Sequence, residues 1–141
     1  VDTNARDMEI DVMVMYDPKR DFTSLDAWKK ARFVKLYFYN EVVPKLPDEE
    51  KFNLNTQIRR AAISATANIS EGYGRYHYQE GIQFYRIARG SIYELKDHLT
   101  SCYDLGFISL DIFEAGLSLI EDAKLTLNGY IKFVSARKEQ A

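Results

Sequence analysis

Between Phe22 and Ser135 the chain is punctuated three times, by Pro44 and Pro47, by Gly72 and Gly74, and by Gly106. Each segment so marked off carries apolar residues three and four positions apart, the period of a helix with one buried face. Ser24 is placed to cap a first helix that runs along Leu25, Trp28, Leu36, Tyr39 and Val43 until the prolines stop it. Asp48 is placed to cap a second, with Glu49 and Glu50 in its first turn and a stripe of Leu54, Ile58, Ala61, Ala65 and Ile69. Gly72 and Gly74 are expected to end it as C-terminal glycines. A third helix is predicted from about Tyr78 to Asp104 along Ile82, Tyr85, Ala88, Ile92, Leu95, Leu99 and Cys102, closed by Gly106. The fourth opens at Ser109, carries Phe113, Leu117, Ile120, Leu127, Ile131 and Val134, and fades after Ser135. Long amphipathic helices on short connections become antiparallel neighbours. The expected fold is therefore all-α, an up-down-up-down four-helix bundle over residues 22–141.

Residues 1–21 read differently. Ile10, Val12, Val14 and Tyr16 alternate with Glu9, Asp11, Met13 and Met15, a period of two that Asp17 and Pro18 end. A lone strand is not stable by itself, so an N-terminal arm is expected that either pairs with another chain or is partly disordered. Charge divides at the same place. The whole sequence carries a formal -2, but the arm through Asp21 has six acids against three bases, which leaves the bundle at +1. A near-neutral total excludes the generic strongly basic nucleic-acid binder, though not a local basic patch.

Several chemistries find no support. One cysteine, Cys102, permits no internal disulfide and has no base among its sequence neighbours, so it reads as a plain thiol. No apolar run reaches the roughly 18 residues a membrane span needs, and the start Val1-Asp2-Thr3-Asn4 lacks a signal-peptide layout. A cytoplasmic protein with no membrane contact is expected. A carboxylate-bridged metal pair needs two Glu-x-x-His motifs. Here His77 stands alone and Glu94 precedes His98 by four, so no metal and no cofactor is expected. Gly72-Tyr73-Gly74 follows no strand and precedes no Gly-Lys-Ser/Thr, so it is not a phosphate loop. Asn68-Ile69-Ser70 matches a glycosylation sequon but falls within a helix. No Ser/His/Asp grouping is arguable with two histidines, so no catalytic residue is assigned.

Two surface features remain. From Ala61 to Ser70 there is no charge, and Ile63 and Ala67 lie opposite the Ile58, Ala65, Ile69 stripe. A bundle buries one face of each helix, so Ile63, Ala67 and Ser70 are expected to meet another subunit, against the plainer reading that small residues tolerate exposure. On the third helix Arg86, Arg89, Tyr93 and Lys96 fall along one flank, with Arg59, Arg60 and Arg75 in the preceding segment. Over residues 51–98 seven cations face four carboxylates, a local +3. Cations interleaved with Tyr suit phosphate contact and base stacking. The plainer alternative pairs Arg60 and Arg89 with Glu71 and Glu94 in salt bridges.

Gln57-Ile58-Arg59-Arg60-Ala61-Ala62, then Asn68-Ile69-Ser70-Glu71-Gly72, then Ile87-Ala88-Arg89-Gly90-Ser91 with Glu94 just beyond, form a specific combination. Leu25-Asp26-Ala27-Trp28-Lys29-Lys30-Ala31 and Leu105-Gly106-Phe107-Ile108 fit the same pattern. Over residues 22–135 the chain resembles the four-helix bundle proteins known as the 23S rRNA intervening-sequence protein, or S23 ribosomal protein, family. That family is encoded within intervening sequences of bacterial 23S rRNA genes. It is similar in turn to the accessory variability proteins of diversity-generating retroelements, pentameric barrels of such bundles that bind a reverse transcriptase and nucleic acid. Those proteins are strongly basic, and this chain departs from them there. The resemblance implies a homopentamer, no settled catalytic residues, and a structural role for Asn68, Glu71 and Gly72 at the exit of the second helix. The reading is a non-enzymatic oligomeric binding or scaffold protein for RNA or a nucleoprotein. Its alternatives are a protein–protein adaptor without nucleic acid and an enzyme with its site between subunits.

Overall fold

A computed structural model describes residues 21–75 and 77–140, with side chains as far as Arg137. The alternating arm expected over residues 1–21 therefore lies outside the described residues except for Asp21. Asp21 Oδ1 accepts from the Phe22 N–H at 2.7 Å and opens a short 3-10 turn, Phe22–Ser24. The hydroxyl of Ser24 donates back to the Asp21 carbonyl at 2.7 Å, so it does not cap the helix that follows. That helix, α1, spans Asp26–Tyr37 behind an extended Leu25.

The helical path continues past α1 but changes type, which the sequence reading missed. Phe38–Val42 form a π turn in which the Val43 N–H reaches five residues back to the Phe38 carbonyl. A 3-10 turn, Val43–Lys45, follows. Pro44 has no N–H for an ordinary helical bond, and the widened turn is how the hydrogen bonding adjusts before the chain leaves. Phe38 and Val42, carried inward by this turn, are fully buried.

Asp48–Glu50 form a separate 3-10 turn, and α2 begins later than expected, spanning Leu54–Tyr73. The capping role falls to Glu50 instead of Asp48: its Oε1 accepts from Asn53 Nδ2 at 2.9 Å and from the Leu54 N–H at 3.3 Å. Helix α3 spans Tyr78–Asp104. It ends in a glycine-closed motif, with the Gly106 N–H on the Tyr103 carbonyl, the Phe107 N–H on the Cys102 carbonyl, and Gly106 at φ 78. Helix α4 spans Leu110–Gln140 and runs past Ser135. The Ser109 hydroxyl accepts from the Ile112 N–H at 3.2 Å at its start.

Each helix packs beside its neighbour in sequence, and α4 returns to close on α1, giving the expected antiparallel four-helix bundle. Phe38, Ile58, Ile69, Ile92, Leu95, Leu99, Ile120 and Leu127 are fully buried at its centre. Polar ties hold the outer seams. The Tyr37 hydroxyl donates to the Ile112 carbonyl at 2.7 Å, and Lys30 meets Asp122 at 2.8 Å. No helix among the described residues is long and apolar enough to cross a membrane.

Gly72 has a different reason to be glycine than ending a helix. It is still helical, and Gly74 after it has an ordinary φ of -74. A Cβ on Gly72 would stand 2.6 Å from Tyr85 Cε1 and 2.9 Å from the Gly81 carbonyl oxygen. Gly81 faces back, its own Cβ position 3.0 Å from the Gly72 carbonyl. The pair lets α2 and α3 approach backbone to backbone. Gly72→Ala is expected to lower unfolding free energy by about 1–3 kcal/mol, despite the gain of up to ~1 kcal/mol in helix propensity. Urea unfolding with an unchanged slope and an earlier midpoint checks it.

Candidate interaction surfaces

The cations expected to form one basic flank are distributed over three seams of the bundle. At the α1–α2 seam Arg59 is exposed, with its guanidinium 5.5 Å from the Tyr39 ring centre. It has no carboxylate partner among the described residues. At the α2–α3 seam Arg60 Nη2 meets Glu94 Oε2 at 2.8 Å and Gln57 at 2.7 Å, and His98 Nε2 approaches the same Glu94 oxygen at 3.0 Å. Arg75 Nη2 meets Glu71 at 2.9 Å, its Nη1 lies 3.6 Å from Glu80, and its guanidinium stacks 4.7 Å from the Phe84 ring centre.

The third seam, between α3 and α4, takes the flank that the spacing identified. Arg89 donates to Asn128 at 2.9 Å, Lys96 meets Glu121 at 2.9 Å, and Tyr93 carries Lys124 at 4.2 Å over its ring. Glu121 binds Lys124 as well, at 3.1 Å. The hydrogen bond from Lys96, then that from Lys124, holds its carboxyl below the usual range. Arg86 is exposed with no partner among the described residues. The salt-bridge alternative is thus right for Arg60 with Glu94 and wrong for Arg89, whose partner is the amide of Asn128. Glu71 pairs with Arg75 one turn on. Exposed pairs of this kind contribute about 0–1 kcal/mol each, so they orient side chains more than they stabilise the fold.

The motif residues of α2 have structural work. Asn68 Nδ2 donates to both the carbonyl and the hydroxyl of Ser64 at 2.9 Å, and Ser91 of α3 donates to that hydroxyl at 2.8 Å. This small polar ladder crosses between the helices above the Gly72–Gly81 contact. Ser70 donates to the Ala67 carbonyl at 2.9 Å.

The α2 face opposite the core is uncovered in the single chain. Ile63 is 49% exposed and Ala67 is exposed. The register of Arg60 with Glu94, Ser64 with Ser91 and Arg75 with Glu80 places Ala67 across from Ile87, itself 52% exposed. On the adjoining α3–α4 side of the bundle Tyr93 and Leu125, 50% and 73% exposed, are also uncovered, and Gly90 and Gly129 have open space beside them. Sequence reasoning missed Ile87 and Leu125. The signal was available: each lies off its helix's core stripe, Ile87 directly after Arg86 and Leu125 between Lys124 and Thr126.

A second feature lies where α2 turns into α3 and α4 passes by. A pocket of about 100 Å³ is lined there by Tyr73, Arg75, His77, Tyr78, Tyr85 and Tyr130, floored by Gly72 and Gly81. Tyr85 and Tyr130 meet edge to face at 5.1 Å. Burial first, then a hydrogen bond to Tyr130, pushes the Tyr85 hydroxyl well above the usual phenol range. Burial also raises Tyr130. Phe133, 54% exposed, stacks on Tyr130 at 6.3 Å, and Arg137 stands 5.0 Å over Phe133.

Elsewhere the groups that carry chemistry are buried or scattered. Burial, then the charge of Glu50, pushes the Cys102 thiol up to about 11, which leaves it protonated and unreactive at neutral pH. Among the described residues no three His, Cys, Asp or Glu side chains come together as a metal site. Compared with known proteins, residues 23–129 match the model of the family described as 23S rRNA-intervening sequence protein. No curated protein matches the chain.

Proposed function

The chain belongs to the 23S rRNA-intervening sequence protein family, and from that premise we propose that it works as a non-enzymatic, homo-oligomeric scaffold that binds RNA or a nucleoprotein. The observation that carries the assembly is the outer apolar face of Ile63, Ala67 and Ile87 along the α2–α3 side. Rows of exposed apolar side chains with paired charges at their margins suit association. Ala67 on α2 and Gly90 on α3 offer no bulk to hold a neighbouring helix away. A second copy of the chain is the occupant, and a closed ring of five is the proposed form.

Assembly also supports the nucleic-acid part of the reading. Arg59 and Arg86 carry no carboxylate, and a ring repeats each of them at regular intervals. RNA retention that weakens steeply with salt is expected, and Arg59→Glu with Arg86→Glu should flatten that dependence by about one unit of slope per lost phosphate contact. Absence of binding at low salt contradicts this part. The adaptor reading has one observation in its favour: Arg60, Arg75 and Lys96 are already held by Glu94, Glu71 and Glu121. Capture of a protein partner by assemblies that retain no RNA would establish it.

A further inference from the structure

We infer that the tyrosine-lined end of the bundle is a site for a single unpaired nucleobase, with the attached phosphate on a flanking guanidinium. This inference rests on the nucleic-acid part of the proposed function and gives it a location at one end of the bundle, where a phosphate would share Arg75 with Glu71 and Glu80. The pocket has room for one planar ring, and its walls are aromatic. The close Gly72–Gly81 contact at its base fixes how α2 and α3 meet there and so holds Tyr73, Tyr78 and Tyr85 around one opening. Tyr85 is buried against Tyr130 edge to face, whereas Tyr78 is 43% exposed and offers its ring face to a ligand.

The aromatic surface then continues outward without a break, from Tyr85 to Tyr130 to Phe133. Two arginine guanidiniums stand over rings at its margins, Arg75 4.7 Å from the Phe84 centre and Arg137 5.0 Å from the Phe133 centre. Aromatic rings interleaved with planar guanidinium groups are the surface on which splayed bases stack, and guanidinium geometry matches a phosphate. A base within a duplex has neither face free, so the site selects single-stranded or flipped nucleotides.

The test uses the intact chain, a labelled short single-stranded RNA of mixed sequence, and AMP. Tyr78→Ala and Phe133→Ala should each weaken RNA binding about tenfold, the order of loss on removing one stacking partner. Both side chains are exposed, so folding is not at stake, and Tyr78→Phe should retain the affinity. AMP should shift the NMR signals of His77 and Tyr78, inorganic phosphate alone should not, and duplex RNA should compete poorly. RNA binding that needs Arg59 and Arg86 but is indifferent to Tyr78 and Phe133 overturns the pocket and leaves the nucleic-acid reading standing. AMP binding that depends on Tyr78 in a chain that retains no RNA upholds the pocket as a nucleotide site and ends the wider reading. Binding of neither overturns both.

Discussion

Phe38→Ala is expected to lower the unfolding free energy by about 3–5 kcal/mol, the cost of removing a buried ring and leaving part of its cavity unfilled. Phe38 is fully buried, and it opens the π turn in which its carbonyl takes the Val43 N–H. The backbone on its C-terminal side is already committed to an unusual hydrogen-bond pattern before Pro44. The site therefore has little freedom to collapse around a smaller residue. Phe38→Leu, which keeps most of the apolar volume, should cost much less. Chemical denaturation of both variants measures the difference. A loss under about 1 kcal/mol for Phe38→Ala would mean that the α1 exit is loosely packed, contrary to the density expected of such cores.

Ile87→Glu is expected to break the assembly while leaving the bundle folded. Ile87 is 52% exposed and makes no contribution to the buried core, so a carboxylate there is solvated in the free chain. At a closed interface it would be desolvated without a partner, at a cost of several kcal/mol for each copy. Because every interface in a ring carries the same substitution, the penalty repeats, and dissociation should be complete at micromolar concentration. Ile63→Glu should act in the same direction. Far-UV circular dichroism separates loss of assembly from loss of fold: the helical signal should be unchanged.

The buried faces of α2 and α3 were legible because period alone specifies them, but that of α1 was misplaced. The expected Leu25, Trp28, Leu36, Tyr39 and Val43 are half-buried, and Ala27, Ala31, Val34, Phe38 and Val42 enter the core, because two aromatic-rich stripes compete on this helix. Ile58, Ala61, Ala65 and Ile69 on α2, and Ile82, Tyr85, Ala88, Ile92, Leu95 and Leu99 on α3, are all buried. Gly106 was legible too, since a short closing turn at positive φ admits little else. Local starts and stops were less so. Asp48, Glu49 and Glu50 look like a first helical turn, yet they make a turn of their own, and the reach of Glu50 to Leu54 sets the true beginning. Gly72 looks identical in sequence whether it ends a helix or admits a neighbour, because Tyr85 and Gly81, which decide the matter, belong to another helix. The same distance hid the seams. Spacing put Arg86, Arg89, Tyr93 and Lys96 on one flank, but their partners Asn128, Lys124 and Glu121 come from α4. The tyrosine pocket was visible only as an excess, 10 Tyr in 141 residues, until folding brought four of them to one end.

The molar mass of the unmodified chain in solution tests the central claim most directly. Light scattering on the eluting peak should return a whole-number multiple of the 16.4 kDa chain, about five for a closed ring, and Ile87→Glu should return the single chain. A mass of one chain for the unmodified protein across micromolar concentrations would contradict the account, since the face of Ile63, Ala67 and Ile87 would then stand open to water with no copy to cover it.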